Sequence, residues 1–351
     1  MLLVVFVALL IALSAANGGN DVSKGVATLA GAGATAYRTA VIWGTVTTLA
    51  GCLVSLVIAG NMTALFSSGI VAAKPTDGFA IAVLAATGLW VALATWLSLP
   101  VSTTHALVGA LVGAGIQLAP GAVKWGALPA KVVYPLIASI FVAYLLSMAL
   151  ALVAGFFTRA RRSSPAPVPV GSGGLSAEAA TARAPHEAPA DASDGTASGR
   201  VVTAAHWISS GATSFARGLN DTPKLVAVGS FALVPAGMST NGILFIVAFS
   251  MAAGALAVGM RVARRLGEDV VKMSHTEGLR ANVTTAVLVG FGAQAGLPMS
   301  TTQVSAGAIA GSAGLQLDRI KFKTLRDFLI GWTITPAFAA GVAWLLGLIL
   351  I

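Results

Sequence analysis

Gly18-Gly19-Asn20-Asp21-Val22-Ser23-Lys24 is a short polar stretch set in apolar sequence, and it returns 200 residues later as Gly218-Leu219-Asn220-Asp221-Thr222-Pro223-Lys224. A second element follows each copy. Pro100-Val101-Ser102-Thr103-Thr104-His105 recurs 198 residues later as Pro298-Met299-Ser300-Thr301-Thr302-Gln303. Two motifs that keep their order and almost their spacing define an internal duplication. Charges at matching depths in two hydrophobic halves mark a transporter built from structural repeats around a central site.

Composition fixes the broad class. Of the 351 residues 56% are hydrophobic and only 9% are charged, whereas a soluble domain carries about 25% charged residues. The chain reads as an all-α polytopic membrane protein. A single cysteine, Cys52, excludes a disulfide framework and a cysteine-rich metal site. The formal charge of +9 is not gathered in a basic domain, so it points to membrane topology and not to nucleic acid. Met1 to Ala16 lacks the basic start of a signal peptide and runs straight into the first polar stretch. It reads as the first half of a broken transmembrane helix.

Apolar runs long enough to cross about 30 Å fall near 1–34, 39–60, 79–98 and 132–157, then near 203–234, 241–260, 279–297 and 327–351. Two shorter runs, 101–118 and 299–314, follow the Ser-Thr-Thr motifs, and each holds a small-xxx-small pair, Gly109/Gly113 and Gly307/Gly311. About 10–12 membrane segments result, five crossings to each half. An odd number makes the repeats inverted. The expected organisation is a first membrane repeat over 1–158, a linker over 159–202 and a second repeat over 203–351. The linker is Pro, Ala, Ser and Gly with scattered acids, a composition that cannot bury enough apolar area to fold, and it reads as disordered. With the linker in the cytoplasm, all but six of the 21 Lys and Arg fall on cytoplasmic loops or helix ends. Lys74, Lys124 and Lys131 lie outside, while Lys24, Arg217 and Lys224 lie within membrane segments. This obeys the positive-inside rule for an inner (plasma) membrane protein with both termini outside.

Asp21 and Asp221 are the acids deepest in apolar segments. Each costs roughly 2.5–3.5 kcal/mol at the bilayer centre on insertion scales, so two at repeat-related positions point to function. Asp21 can pair with Lys24, and Asp221 with Lys224, at i,i+3 on a helix face. Such pairing is compatible with a site. The glycines before each Asp are poor helix continuations, and Pro223 suits a new first turn. A break is therefore expected before each Asp, turning carbonyls, Asn20, Asn220 and the carboxylates to a cavity able to hold a cation. A glycine kink without a site is the plainer alternative.

In the Ser-Thr-Thr elements a Pro ends one helix and hydroxyl residues open the next. Hydroxyls and unpaired N–H groups at a helix N-terminus make an anion site. Ser102, Thr103 and Thr104, with Ser300, Thr301 and Thr302, are placed to hold one tetrahedral oxyanion from two sides. Arg217 could clamp that anion bidentately, pair with Asp221, or snorkel. His105 is matched by Gln303, which suggests hydrogen bonding and not an essential proton relay. His206 and His275 read as interfacial, and Glu277 as a surface-helix charge.

Paired Gly-x-Asn-Asp signatures with paired Pro-x-Ser-Thr-Thr segments, separated by a hydrophilic loop, resemble the PiT family of inorganic phosphate transporters. The resemblance covers both membrane halves. It implies cation-coupled uptake of inorganic phosphate by inverted repeats, as a homodimer, without an enzymatic reaction or cofactor. It assigns phosphate contacts to the six Ser and Thr residues, and phosphate or cation contacts to Asn20, Asp21, Asn220 and Asp221. One departure matters. The family signature carries Asn three residues after the Asp, where this chain has Lys24 and Lys224. An ammonium there can take the space and charge of a sodium ion. Proton coupling is therefore expected over sodium coupling, with Asp21 and Asp221 titrating. A sodium-coupled phosphate carrier and a sulfate permease of the same fold are the alternatives. A Ser or Thr nucleophile would need a duplicated base, which Gln303 does not supply. A passive channel would not need the acids.

Overall fold

The computed structural model describes residues 1–162, 197–269, 273–316, 319 and 322–351. The first half runs α1 (Leu2–Asp21), α2 (Ser23–Gly31), α3 (Tyr37–Ile58), α4 (Gly60–Ala64), α5 (Asp77–Trp96), α6 (Thr103–Leu118) and α7 (Tyr134–Arg162). The second runs α8 (Ala197–Leu233), α9 (Thr240–Asp269), α10 (His275–Ala295), α11 (Thr301–Ser312) and α12 (Phe322–Leu350). π-helical turns at Leu65–Gly69 and Pro129–Val133 extend α4 and lead into α7. Among the described residues there is no β-strand, only an isolated bridge between Val71 and Val123. The linker expectation falls mainly on 163–196, which lie outside the described residues.

Six helical segments, Leu2–Gly31, Tyr37–Ile58, Asp77–Trp96, Pro129–Phe156, Thr240–Glu268 and Arg326–Leu350, are long and apolar enough to cross a membrane. Large apolar side chains such as Val57, Phe156, Ile208 and Ile349 stay exposed on the outside, the arrangement a lipid solvent permits. α8 and α10 are long but more polar, because much of their surface is turned inward. Ser209, Ser210, Thr213 and Ser214 on α8 and Asn282, Thr284 and Thr285 on α10 are all buried.

The halves pack by exchange. α1 lies along α9 and α8 along α3; α6 lies along α12 and α11 along α7. α5 packs on α1 and α6, and α10 on α8 and α11. Swapping α1 with α8, α3 with α9, α5 with α10, α6 with α11 and α7 with α12 maps each of these pairings onto another. The two halves are thus related by an approximate two-fold exchange. The small-xxx-small pairs explain how close the helices come. A Cβ on Gly109 or Gly113 would lie 2.2 or 2.1 Å from the carbonyl oxygen of Pro336 or Ala340. On Gly307 or Gly311 it would lie 2.5 or 2.2 Å from that of Ile140 or Tyr144. The same four glycines thus perform the same task in both copies.

α6 and α11 hold 16 and 12 residues, about 24 and 18 Å at 1.5 Å per residue. Both are too short to cross a bilayer alone. Each begins one residue after its capping serine: the Ser102 hydroxyl accepts from the His105 amide at 3.3 Å, and the Ser300 hydroxyl from the Gln303 amide at 3.2 Å. The preceding turns match as well. Ser98 (φ 57°) and Gly296 (φ 70°) hold the same left-handed conformation, 198 residues apart.

The expected helix breaks need correction. In the first copy the interruption is a single residue after the acid, Val22, itself in helical conformation (φ −57°, ψ −29°). In the second copy α8 continues unbroken through Gly218, Asp221 and Pro223. The glycines serve close packing: a Cβ on Gly18 would lie 1.9 Å from the Met251 carbonyl oxygen, and one on Gly218 2.4 Å from that of Thr48. Neighbouring helices hold the backbone helical where isolated propensity would let it break.

Candidate functional site

The signatures and the Ser-Thr-Thr helix ends meet at the centre, sealed from solvent. Asn20, Asp21, Lys24, Asn220, Asp221, Lys224, Arg217, Ser102, Thr103, Thr104, Ser300, Thr301 and Thr302 are all buried. Both anticipated ion pairs form. Lys24 Nζ donates to Asp21 Oδ1 in a short contact, and Lys224 Nζ lies 3.4 Å from Asp221 Oδ1.

Lys24 sits in a shell of oxygens. Besides Asp21 Oδ1, its ammonium faces Asn20 Oδ1 at 3.0 Å, the Asn20 carbonyl at 3.3 Å and the Val101 carbonyl at 3.4 Å. Carboxylate, amide and carbonyl oxygens from one turn of helix and one loop surround a fixed monovalent cation. Asn20 is held in turn: it donates to the Leu99 carbonyl at 2.8 Å and to Thr95 Oγ1 at 3.2 Å, and accepts from the Val101 amide at 3.1 Å. Lys224 donates to Thr104 Oγ1 at 2.7 Å and lies 3.5 Å from the Met299 carbonyl.

The helix ends clasp each other across the two-fold. Thr302 donates to the Val101 carbonyl at 2.6 Å, and Thr104 to the Met299 carbonyl at 3.4 Å. Each copy also touches the other's acid–base pair, Thr301 donating to Asp21 Oδ2 at 3.3 Å and Thr104 accepting from Lys224. Of the four N–H groups that a helix start leaves unpaired, those of His105 and Ala106 on α6 are taken by Ser102, and those of Gln303 and Val304 on α11 by Ser300. The amides of Thr103, Thr104, Thr301 and Thr302 lie in the same first turns.

Charge completes the description. Three cations, Lys24, Lys224 and Arg217, stand against two carboxylates, Asp21 and Asp221, so the buried centre carries a formal excess of one positive charge. Arg217 is 1% exposed. It spends one nitrogen on the Gly18 carbonyl at 3.4 Å, while Nε and Nη2 have no partner. A guanidinium edge buried without a partner is costly and calls for an anion. Asn220 Oδ1 and Asp221 Oδ2 are also unpartnered.

The sequence reading passed over Asn17 and Thr95. Asn17 donates to Thr103 Oγ1 at 2.9 Å, and it occupies the position that Arg217 holds in the second copy, so aligning the repeats identifies it. Thr95, which receives Asn20, carries no such signal. Three other expectations change. His206 is fully buried, not interfacial, and Glu277 is a buried capping residue paired with Arg319 at 2.6 Å. His275 is 9% exposed, against His206.

A family model described as the phosphate transporter family matches residues 17–343. A Mycobacterium leprae protein described as a low-affinity inorganic phosphate transporter is 28% identical, over 99% of this chain and 79% of its own length. A Pyrococcus furiosus protein described as a phosphate permease is 28% identical over 97% of this chain and 94% of its own. A solved structure entitled the sodium-dependent phosphate transporter shares the fold, with a TM-score of 0.77, 19% identity and coverage of 99% and 98% of the two chains.

Proposed function

The chain belongs to the phosphate transporter family, and on that premise we propose that it takes up inorganic phosphate by alternating access, driven by protons. The observation that carries the anion site is the sealed, positively charged centre, in which Arg217 Nε and Nη2 are buried without a partner. Phosphate would be held by the Thr103, Thr104, Thr301 and Thr302 amides, by Arg217 and by the threonine hydroxyls once those of Thr104, Thr301 and Thr302 turn from Met299, Asp21 and Val101 to the anion, with Ser102 and Ser300 fixing the helix ends. Asn20 and Asn220 would position the loops that carry Val101 and Met299.

The coupling argument rests on Lys24. Its four oxygen partners form a shell that a sodium ion would otherwise fill, and a second cation there would meet strong repulsion at low dielectric. A proton on Asp21 or Asp221 changes the charge without needing that space. One proton raises the formal excess from one to two positive charges, matching hydrogen phosphate dianion. Proton and phosphate would then bind cooperatively because each neutralises the other.

Inversion of the repeats, a plasma-membrane location, a cytoplasmic linker, both termini outside and homodimeric assembly belong to the same proposal. The distribution of Lys and Arg supports the topology. Proteoliposomes settle the coupling. Uptake of labelled phosphate should rise with an inward proton gradient, persist when choline replaces sodium, and outcompete sulfate. Uptake that needs sodium at fixed pH would overturn proton coupling, and preference for sulfate would overturn the substrate.

A further inference from the structure

The approximate two-fold is broken by polarity on one side of the site. Along α2, one turn past Lys24, the Thr28 hydroxyl donates to Asn282 Oδ1 at 2.9 Å and lies 3.3 Å from His206 Nε2. His206 Nδ1 lies 3.3 Å from His275 Nδ1 at the start of α10. Ser210 donates to the Gly25 carbonyl at 2.7 Å and Thr213 to the Asn282 carbonyl at 2.9 Å. The unpartnered Ser214 hydroxyl stands between, 1.9 Å from where a Cβ on Gly25 would be. A column of buried polar groups therefore leads from Thr28, one turn past Lys24 on α2, to His275 at the start of α10.

Five of the repeat-related positions are apolar, while Ser214 and His275 keep polar counterparts in Ser14 and Asp77. An offset of 200 residues in α1/α8 and of 198 in α5/α10 replaces His206, Ser210, Thr213, Thr28 and Asn282 by Phe6, Leu10, Leu13, Val228 and Leu84. All five of these are buried in one apolar cluster. Burying polar groups beside apolar ones costs free energy unless they are used or satisfied. The duplication supplied an apolar solution for the same space, so the polar column is not required by packing.

We propose that Thr28, His206 and His275 form the proton exit from the Asp21–Lys24 pair to the linker-side face. The inference rests on the proton-coupled reading above. The hydrogen bonds already have one direction. Thr28 spends its proton on Asn282, so neutral His206 donates to Thr28 through Nε2 and accepts from His275 at Nδ1. Outward transfer starts from the other tautomers: the Asn282 amide rotates to donate to Thr28, His206 holds its proton on Nδ1 with Nε2 bare, and His275 holds its own on Nε2 with Nδ1 bare, so that Thr28 donates to His206 Nε2 and His206 Nδ1 to His275. In transfer, a proton from the Asp21–Lys24 pair reaches Thr28, one turn along α2, and Thr28 passes its own proton to His206 Nε2. His206 gives up the proton on its other ring nitrogen to His275, which releases one to solvent. One proton moves and no electrons do. Charged and titratable groups on the elements packed around His206 are Asp21 on α1, Lys24 on α2, Tyr37 and Arg38 on α3, Arg264 on α9, and Glu277 and Arg280 on α10, with Arg319 on Glu277.

The test separates net uptake from exchange. His206→Gln, His275→Gln and Thr28→Val proteins in liposomes should lose at least tenfold in uptake driven by a proton gradient. Exchange of labelled for unlabelled phosphate at equal pH, which moves no net proton, should stay within about twofold of the unmodified protein. Added imidazole should restore part of the net uptake in the histidine variants. Net uptake within twofold of normal in all three would overturn the exit path and leave proton coupling intact. Parallel loss of exchange and net uptake in all three would also overturn it, since the column would then be structural. Sodium-driven uptake by the unmodified protein with no proton movement would instead remove the premise.

Discussion

Replacing Lys24 by Asn removes the ammonium from its shell and leaves Asp21 Oδ1, Asn20 Oδ1 and the Asn20 and Val101 carbonyls facing a gap. Breaking one partner out of a buried ion pair costs about 3–5 kcal/mol, because the other charge stays buried. The oxygens left behind suit a sodium ion, and ligand at 100 times its Kd returns about 2.7 kcal/mol. Sodium should therefore recover about nine-tenths of the loss at the lower end of that range and about half at the upper end. At roughly 2 °C per kcal/mol for a chain of this size, the variant should unfold roughly 6–10 °C lower in choline chloride and regain roughly 5 °C in sodium chloride. The assay is thermal unfolding of detergent-purified protein in the two salts at equal ionic strength. The unmodified protein should show no difference between them. An equal sodium response in both proteins, or none in the variant, would refute the view that Lys24 fills a cation position.

Thr301→Val with Thr302→Val, or the Thr103 and Thr104 pair, removes two donors at nearly constant volume; at about 1–3 kcal/mol per unmatched group, phosphate binding by calorimetry should weaken at least tenfold in either protein. Arg217→Gln abolishes the positive excess and a charged donor worth about 1.5–3 kcal/mol, so phosphate affinity should fall at least about tenfold, and normal affinity would remove Arg217 from the site. Gly113→Val or Gly311→Val drives a side chain into the carbonyl of Ala340 or Tyr144 and should abolish folded protein on size exclusion, whereas Gly126→Ala, with open space around it, should not. Deleting 165–196 should leave uptake in liposomes largely intact, and a folded deletion protein without uptake would assign the linker a role.

The duplication was legible because its two motifs combine residues that membranes reject with residues that end helices. Pro-x-Ser-Thr-Thr gave the starts of α6 and α11 to the residue, since proline, a capping hydroxyl and the first helical turn are local effects. The Asp–Lys pairs followed from i,i+3 geometry alone. Continuity of α8 was not legible. Gly218 and Pro223 carry a break signal locally, and only the approach of Thr48 from α3 shows that the glycine is there for contact. Burial of His206 was hidden for a related reason. A polar residue near the end of a membrane helix looks the same in sequence whether it faces headgroups or another polar helix. Thr28 and His275, distant in the chain, decide the matter by meeting it.

Two halves of one origin make a transporter only by ceasing to be equivalent. If the second copy had kept Asn at the position of Arg217, the buried centre would hold two acids and two lysines, formally neutral, and would offer an anion dipoles without charge. Arginine in one copy gives the centre its formal positive excess, and asparagine in the other supplies a donor to Thr103. The polar column obeys the same logic. It gives the site a hydrogen-bonded neighbour on the linker side and a wall of Phe6, Leu10 and Leu13 on the other. A symmetric pair of polar columns would let protons cross without phosphate. A symmetric pair of apolar walls would trap the proton with its cargo. In the proposed mechanism directional coupling needs one of each, and the exchange of a handful of side chains on a duplicated frame would supply it.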